Sequence, residues 1–355
     1  MKATIIIVGI LVLLVVAAVV APQHPAFGRR ISAERKARIE ASPNYRDGMF
    51  QNQIPTPQFT GNQNTLKAMW TMLTRRDSNR VPIEPLNTVK TDLRSLPTDK
   101  DWFVWFGHSS YLFQLGGRRF LVDPLLKMEF PTALMLKPFK GTDIYTPEDL
   151  PEIDYLIITH EHWDHLDYAT LRDLRPKVRH AVCPLGVAEY LEYWKYDQSI
   201  ITEMDWGESL STLSDSSLKV TCLPSRHFSN RFLHGRNQTL WAAFMVEAGN
   251  RKVYIGGDGG YDDRFQQANE QFGRIDLAIM ENGQYNPNWA YIHMLPQDLE
   301  QAIIDMQPEQ VITVHHDKFA LSTHAWSEPD SVARAIAERD SIKLLDQPIG
   351  TVIYF

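Results

Sequence analysis

Residues 158–168 read ITHEHWDHLDY, so three histidines and an aspartate, His160, His162, Asp164 and His165, fall within six positions directly after the apolar run IDYLIIT at 153–159. A short apolar run of this kind reads as a buried strand. A strand that delivers H-x-H-x-D-H into a loop gathers imidazole nitrogens and a carboxylate oxygen in one place, which is the donor set of a divalent metal. One metal cannot take all four donors and keep a position open for chemistry. Two metals are therefore expected, with His160 and His162 on one, Asp164 and His165 on the other, and each completed from elsewhere in the chain. A solvated loop that is merely rich in histidine is the alternative, and the density of donors at a strand end argues against it.

The completing ligands belong at other strand ends. His227 follows LKVTCLP in PSRHFSN, Asp258 follows RKVYIGG in GGDGGYDD, and His315 ends QVITV in TVHHDKF. Singly, each would read as a cap or a turn residue. Their joint placement after three strands makes them a set. Asp258 is flanked by small residues, so its carboxylate can approach and bridge both metals. His315 is preferred to His316 because neighbours on a strand point to opposite faces.

Around these residues, DWFVWFG (101–107), YLFQLGG (111–117) and RRFLVDP (118–124) read as successive strands, as do LKVTCLP, LWAAFMVEAG and RKVYIGGD. Then LPQDLEQAIIDMQ (295–307) is helical, QVITVHH (310–316) a strand, SEPDSVARAIAER (327–339) a helix capped by Ser327, and GTVIYF a closing strand. Strands first and α/β alternation later imply an α/β fold with sheets covered by helices. At 355 residues and 44% hydrophobic content the chain can bury a full core. A formal charge of -7 offers no footprint for a phosphate backbone, so nucleic acid is not an expected partner. Cys183 and Cys222, the only cysteines, read as buried thiols. No internal repeat occurs, and nothing commits the chain to an oligomeric state.

Ala3 to Ala21 form an uncharged apolar stretch, long enough to cross a hydrocarbon core of about 30 Å as a helix. It reads as a membrane anchor or signal segment. Pro22 directly follows the only cleavage-like site and no lipobox cysteine is present, which favours an uncleaved anchor. Arg29, Arg30, Arg35, Lys36 and Arg38 after the span favour a cytoplasmic domain by the positive-inside count. The short tail with Lys2 is how an export signal begins, and export to the periplasmic or extracellular side is the reading adopted. Residues 22–65, rich in Pro, Asn, Gln and Arg, read as a linker that wraps the domain, with a short helix near Ser32–Glu40, and residues 66–355 as the main domain, which carries the metal motif. A chain beginning near Ser42 is accordingly expected to fold.

The stretches WFGHSSYLFQLGGRRFLVDP, IDYLIITHEHWDHLDY, GGDGGYDDRF, FGRIDLAIMENGQYNPNW and VHHDKFAL resemble the metallo-β-lactamase superfamily and, within it, the N-acyl-phosphatidylethanolamine-hydrolysing phospholipase D branch. The resemblance runs from about residue 100 to 350. It implies an αββα sandwich with a dinuclear metal site at the sheet edges, holding two divalent ions, zinc above all, with manganese or iron(II) as alternatives. It further implies His160, His162 and His227 as ligands of the first metal, Asp164, His165 and His315 of the second, Asp258 as the bridge, and Asp123 as a support that orients an imidazole. Two departures stand out. The family's W-G-T after the last histidine ligand is here His316-Asp317-Lys318, and its small apolar residues before Tyr285 are here Glu281-Asn282-Gly283-Gln284. Both are expected at the pocket, where they would favour a more polar substrate than a two-tailed phospholipid.

Two divalent ions acidify a shared water enough to supply a bridging hydroxide near neutrality and polarise the substrate oxygen. Asp164 at the metals, and His293 and His108 beside the substrate oxygen, are the expected catalytic residues. Residues 125–140, LLKMEFPTALMLKPFK, combine apolar side chains with Lys127, Lys137 and Lys140, a composition suited either to an interfacial acyl-chain gate or to a loop packed on the core. Three functions compete. The first is a membrane-anchored phosphodiesterase of phospholipase D type acting on lipid. The second is a lactonase or amide hydrolase acting on a small molecule. The third, a non-enzymatic metal-binding surface protein, explains a bridging carboxylate least well.

Overall fold

The computed structural model describes residues 19–355 apart from 62–63, 65, 68–69, 71–73, 75–78, 213–214 and 232–234. A two-stranded hairpin, β1 (Tyr45–Arg46) and β2 (Met49–Phe50), precedes two large sheets. The first sheet holds β3 (Trp102–Trp105), β4 (Tyr111–Leu115), β5 (Arg118–Val122), β6 (Ile153–Ile157), β7 (Val178–Pro184), β8 (Ile201–Met204) and β15 (Val352–Tyr354), in the order β15-β3-β4-β5-β6-β7-β8. The second holds β9 (Ser209–Thr212), β10 (Asp215–Leu223), β11 (Ala243–Ala248), β12 (Arg251–Ile255), β13 (Leu277–Glu281) and β14 (Val311–Val314), in the order β14-β13-β12-β11-β10-β9. Helices α1 (Ala33–Glu40), α2 (Thr132–Met135), α3 (Tyr168–Leu174), α4 (Ala188–Tyr193), α5 (Arg264–Phe272), α6 (Pro296–Met306) and α7 (Glu328–Asp340) complete the chain.

Three apolar layers hold this arrangement together. In β3, Phe103 and Trp105 face the second sheet and pack among Phe113, Phe120, Phe244, Ile255 and Val314, while Trp102 and Val104 face outward with Leu112, Leu121, Leu171 and Leu191 of the α3–α4 layer. Burial on both faces explains why WFVW shows no polar alternation. On the far side of the second sheet, Met245 and Tyr254 meet Phe265, Ala268 and Phe272 of α5 and Leu299, Ala302, Ile303 and Met306 of α6, apolar positions at helical spacing. Each large side chain buried in this way stabilises by about 1.5–3 kcal/mol. The result is the expected αββα sandwich. Cys183 and Cys222 are free and buried.

Ser327 precedes α7 but does not cap it. Its backbone is already helical and its side chain accepts no helix N–H, so the first turn rests on Pro329 and the acidic Glu328 and Asp330. Ser32 does cap α1, its hydroxyl accepting from Arg35 N. Residues 24–50 are tied closely to the sandwich. Arg35 donates to Glu189 Oε2 (2.5 Å) and Glu203 (3.1 Å), Arg29 donates to Glu189 Oε1 (2.5 Å), and Ile39 and Phe50 pack on Leu185, Leu240 and Trp241. The apolar stretch Ala3–Ala21 lies almost wholly outside the described residues. Among the described residues no helix is long and apolar enough to cross a membrane.

Candidate metal centre

The strands that end at one rim of the sandwich carry the donors. β6 continues past its last ladder residue with Ile158 N donating to Val182 O, then turns through His165 N and Leu166 N onto His162 O. Asp167 starts α3 by accepting from Thr170 N (2.8 Å) and is itself held by Thr132 Oγ1 (2.9 Å). The H-x-H-x-D-H loop is thus pinned at both ends. Asp258 is delivered by a tight passage: Gly257 has φ +58, and a Cβ there would meet Ala242 O at 2.8 Å and the Thr159 side chain. The small residues beside Asp258 therefore serve close backbone approach as well as room for the carboxylate. Asp123 and His315 take φ values of 41 and 74 directly after β5 and β14, and His108 takes 53 in the turn between β3 and β4. Left-handed conformations at such residues cost about 1–3 kcal/mol each, and such strain concentrates at functional sites. Reciprocal backbone bonds, His108 N to His316 O and His315 N to His108 O, both 2.9 Å, join the two sheets at this rim.

Ligand atoms of His160, His162, His227 and Asp258 all lie within 4.8 Å of one another, as do those of His108, Asp164, His165 and His315. Asp258 reaches across both sets, with Oδ2 3.2 Å from His165 Nε2 and 3.9 Å from both His160 Nε2 and His227 Nε2, and Oδ1 3.3 Å from His315 Nδ1.

The outer nitrogens decide what the inner ones carry. His227 Nδ1 donates to Ile292 O (2.9 Å). Thr159 gives its hydroxyl proton to Asp123 (2.5 Å) and so accepts from His160 Nδ1 (3.0 Å). His160 Nε2 and His227 Nε2 are then lone pairs, converging on His162 Nδ1 at 2.9 and 3.2 Å. His165 Nδ1 donates to Asp123 (2.8 Å), which turns Nε2, a buried atom with no hydrogen-bond partner among the described residues, toward the carboxylates of Asp164 and Asp258. Buried imidazole nitrogens and carboxylate oxygens converge here with their outer nitrogens already tied to acceptors, so this donor set fits metal ions.

Electrostatics agree. Burial first, then the neighbouring imidazoles, lower the pKa of His160 and His227, and burial, helped by His165 and His293, outweighs the adjacent carboxylates to bring His162 down to about 4. Burial opposes ionisation of Asp164 and Asp258, but the surrounding histidines outweigh it and hold both well below the usual carboxylate range. His165 is raised despite its burial, because Asp258, Asp164 and Asp123 call for positive charge there. Ionised carboxylates and neutral His160, His162 and His227 are the states that ligate metal, and a cation beside His165 would answer the same demand for positive charge.

The structure places His108 behind Asp164, with Nε2 2.8 Å from Oδ2 and no exposed surface. His293 stands across the mouth, its ring stacked on that of His315 at 5.4 Å and edge-on to His227 at 5.1 Å. His316 turns away, against Trp105 (4.7 Å) and Thr313 Oγ1 (3.3 Å). The separation of His315 from His316 comes from the reversed backbone at His315, since β14 stops at Val314 and no strand alternation continues.

The polar departures are corrected by the structure. Lys318 is buried and donates to Phe106 O and Leu125 O, Asn282 donates to Pro329 O, and Gln284 donates to His315 O and Phe319 O. These residues brace the rim from inside, and they say nothing of a polar substrate. Glu281 alone reaches the site, through His293. Sequence reasoning missed Arg231 altogether. Its buried guanidinium donates to Ala26 O, Glu161 O and Leu166 O and lies 3.8 Å over the Trp163 ring, gripping the metal loop from beneath. No local signal marks it, because every partner is distant in the chain or main chain.

A sandwich of this type with these donors defines the class of metal-dependent hydrolases built on paired sheets. The family model for the β-lactamase superfamily domain matches residues 118–316. The chain is 34% identical over 324 residues to an uncharacterized protein of Mycobacterium tuberculosis, covering 88% of this chain and 84% of that one. It is 30% identical over 261 residues to N-acyl-phosphatidylethanolamine-hydrolyzing phospholipase D 1 of Caenorhabditis elegans, covering 68% and 71%. A metallo hydrolase from the archaeon Ignicoccus hospitalis shares the fold at TM-score 0.55 and 18% identity, over 72% of this chain and 98% of that one. The chain belongs to the metallo-β-lactamase superfamily, in its N-acyl-phosphatidylethanolamine phospholipase D-like branch, and is a metal-dependent hydrolase.

Proposed function

We propose that this hydrolase is a dinuclear phosphodiesterase of phospholipase D type, releasing the head group from an N-acyl-phosphatidylethanolamine-like lipid. The observation that carries the diester reading is the 30% identity to a phospholipase D of that name across 68% of the chain. His160, His162 and His227 would hold one ion and Asp164, His165 and His315 the other, with Asp258 between them, and zinc suits the imidazole-rich set. Such ions supply an acidified water and neutralise charge on the phosphoryl oxygens. His293, at the mouth, contacts the substrate oxygen, while His108 acts through Asp164 by fixing the carboxylate's orientation. Purified protein is expected to contain close to two divalent ions per chain by elemental analysis, and one or none after metal-replete purification would contradict the reading. On a panel of a lipid diester, a nitrophenyl phosphodiester and a lactone, the diesters should be hydrolysed. Turnover of the lactone alone would install the lactonase reading in its place.

The same proposal places the lipid at α2. Leu134 and Met135 are 73% and 48% exposed and Phe130 is 41% exposed, whereas Leu136, expected with them at the interface, is buried against Leu125 and Phe319. The segment is therefore half core and half apolar rim. Leu134→Ser with Met135→Ser should lower hydrolysis of vesicle-borne lipid several-fold and leave the soluble nitrophenyl diester unchanged. Equal loss on both substrates would assign the whole segment to the core. In this reading the protein is held at a membrane by residues 3–21 with its domain on the exported side, and protease protection in spheroplasts reports that side.

A further inference from the structure

Glu281 ends β13 and is 1% exposed, an expensive place for a carboxyl group unless both oxygens are used. Both are. Oε2 accepts from Gly259 N at 2.5 Å, the amide that directly follows Asp258, and Oε1 lies 2.6 Å from His293 Nδ1. The carboxylate thereby ties the imidazole at the mouth of the site to the loop that carries Asp258. At 2.6 Å, Nδ1 is committed to a hydrogen bond with Glu281, so only Nε2 of His293 is left for a ligand. Among the described residues its other contacts are with rings, stacked on His315 at 5.4 Å and edge-on to His227 at 5.1 Å, and these do not distinguish one edge of the imidazole from the other. The Glu281 hydrogen bond does.

We propose that Glu281 is a positioning residue that locks His293 with Nε2 turned toward the substrate, a role that rests on the hydrolase reading above and assigns the last polar residue of the site. It acts through His293 and not on the ions. The test is a double-mutant cycle with two readouts, made on the metal-loaded protein. Glu281→Gln and Glu281→Ala should each lower kcat/KM by about 10- to 100-fold, the usual effect of losing a partner that orients a histidine. In a His293→Ala background the same changes should have no further effect, because the residue being positioned is gone. Metal content should stay at the wild-type level in all of these proteins. Equal fold-losses in both backgrounds, or metal lost with Glu281→Gln but not with His293→Ala, would overturn the proposal and make Glu281 a structural support of the Asp258 loop.

The second readout is independent of turnover. In wild-type protein carrying nitrogen-15 histidine, the proton shared with His293 Nδ1 should resonate far downfield, as a short buried hydrogen bond requires, and this signal should vanish in Glu281→Gln. Its absence from the wild type would refute the geometry. If wild type hydrolyses nothing on the panel yet shows this resonance, the phosphodiesterase reading fails while the Glu281–His293 pair stands.

Discussion

Asp258→Ala should lose both bound ions and all measurable hydrolysis. Its carboxylate reaches both halves of the donor set: Oδ2 approaches His165, His160 and His227, and Oδ1 approaches His315. Without this carboxylate only Asp164 is left as an anionic ligand, and two divalent ions about 4 Å apart repel one another by roughly 15 kcal/mol even at an effective dielectric near 20. Binding of the second ion then becomes the first casualty. Asp258→Asn, which keeps the shape and removes the charge, should behave nearly as badly, with kcat/KM down by roughly three orders of magnitude or more. Elemental analysis and a melting curve with and without added zinc check this: wild type should gain stability on metal addition, as any ligand of the native state confers it, and the variants should gain little. Full metal content in Asp258→Ala would remove Asp258 from the bridging position and send the search for a bridge to Asp164.

A chain beginning at Ser42 should fold poorly or melt well below the full domain, whereas one beginning at Pro22 should behave as the parent does. This reverses the expectation drawn from composition. Removing residues 22–41 strips Arg29 and Arg35 from Glu189 and Glu203, which are 1% and 9% exposed, and removes the Ala26 carbonyl that anchors Arg231. Burial already pushes Glu203 up, with Arg35 the main opposing influence, so the truncated chain must protonate or hydrate a carboxyl made to be paired. Breaking one such buried pair costs about 3–5 kcal/mol. For a domain of this size that alone lowers Tm by roughly 5 °C. The same cut frees Arg231 from one of its anchors beneath Trp163, so metal affinity should fall along with stability. Equal melting temperatures for the two chains would show that residues 22–41 are dispensable.

Much of the site could be read from local chemistry. His160, His162, Asp164 and His165 announce themselves by density, and His227, Asp258 and His315 by falling after apolar runs. Other features left weaker traces. β7, VRHAVCP, is buried in its second half but opens with Arg179 and His180 in polar company, so no clean period marks it. β9 is a four-residue edge strand, too short to show alternation. The half of residues 125–140 that is core and the half that is rim are indistinguishable by composition, since Leu134 and Leu136 are the same residue in opposite environments. Lys318, Asn282 and Gln284 look like pocket residues only while their backbone partners are unknown.

By itself, then, the sequence determined the donor chemistry, an α/β fold with sheets covered by helices, and the strand ends at which ligands leave, because donor type and hydrophobic period are properties of short stretches of chain. Tertiary structure alone decided which nitrogen of each histidine faces inward, that Glu281 grips His293, and that residues 24–40 belong to the foundation of the metal loop. Each of these depends on a partner that folding brings from a distant part of the chain or on a main-chain carbonyl, and a carbonyl is the one acceptor that every residue carries and no residue type reveals.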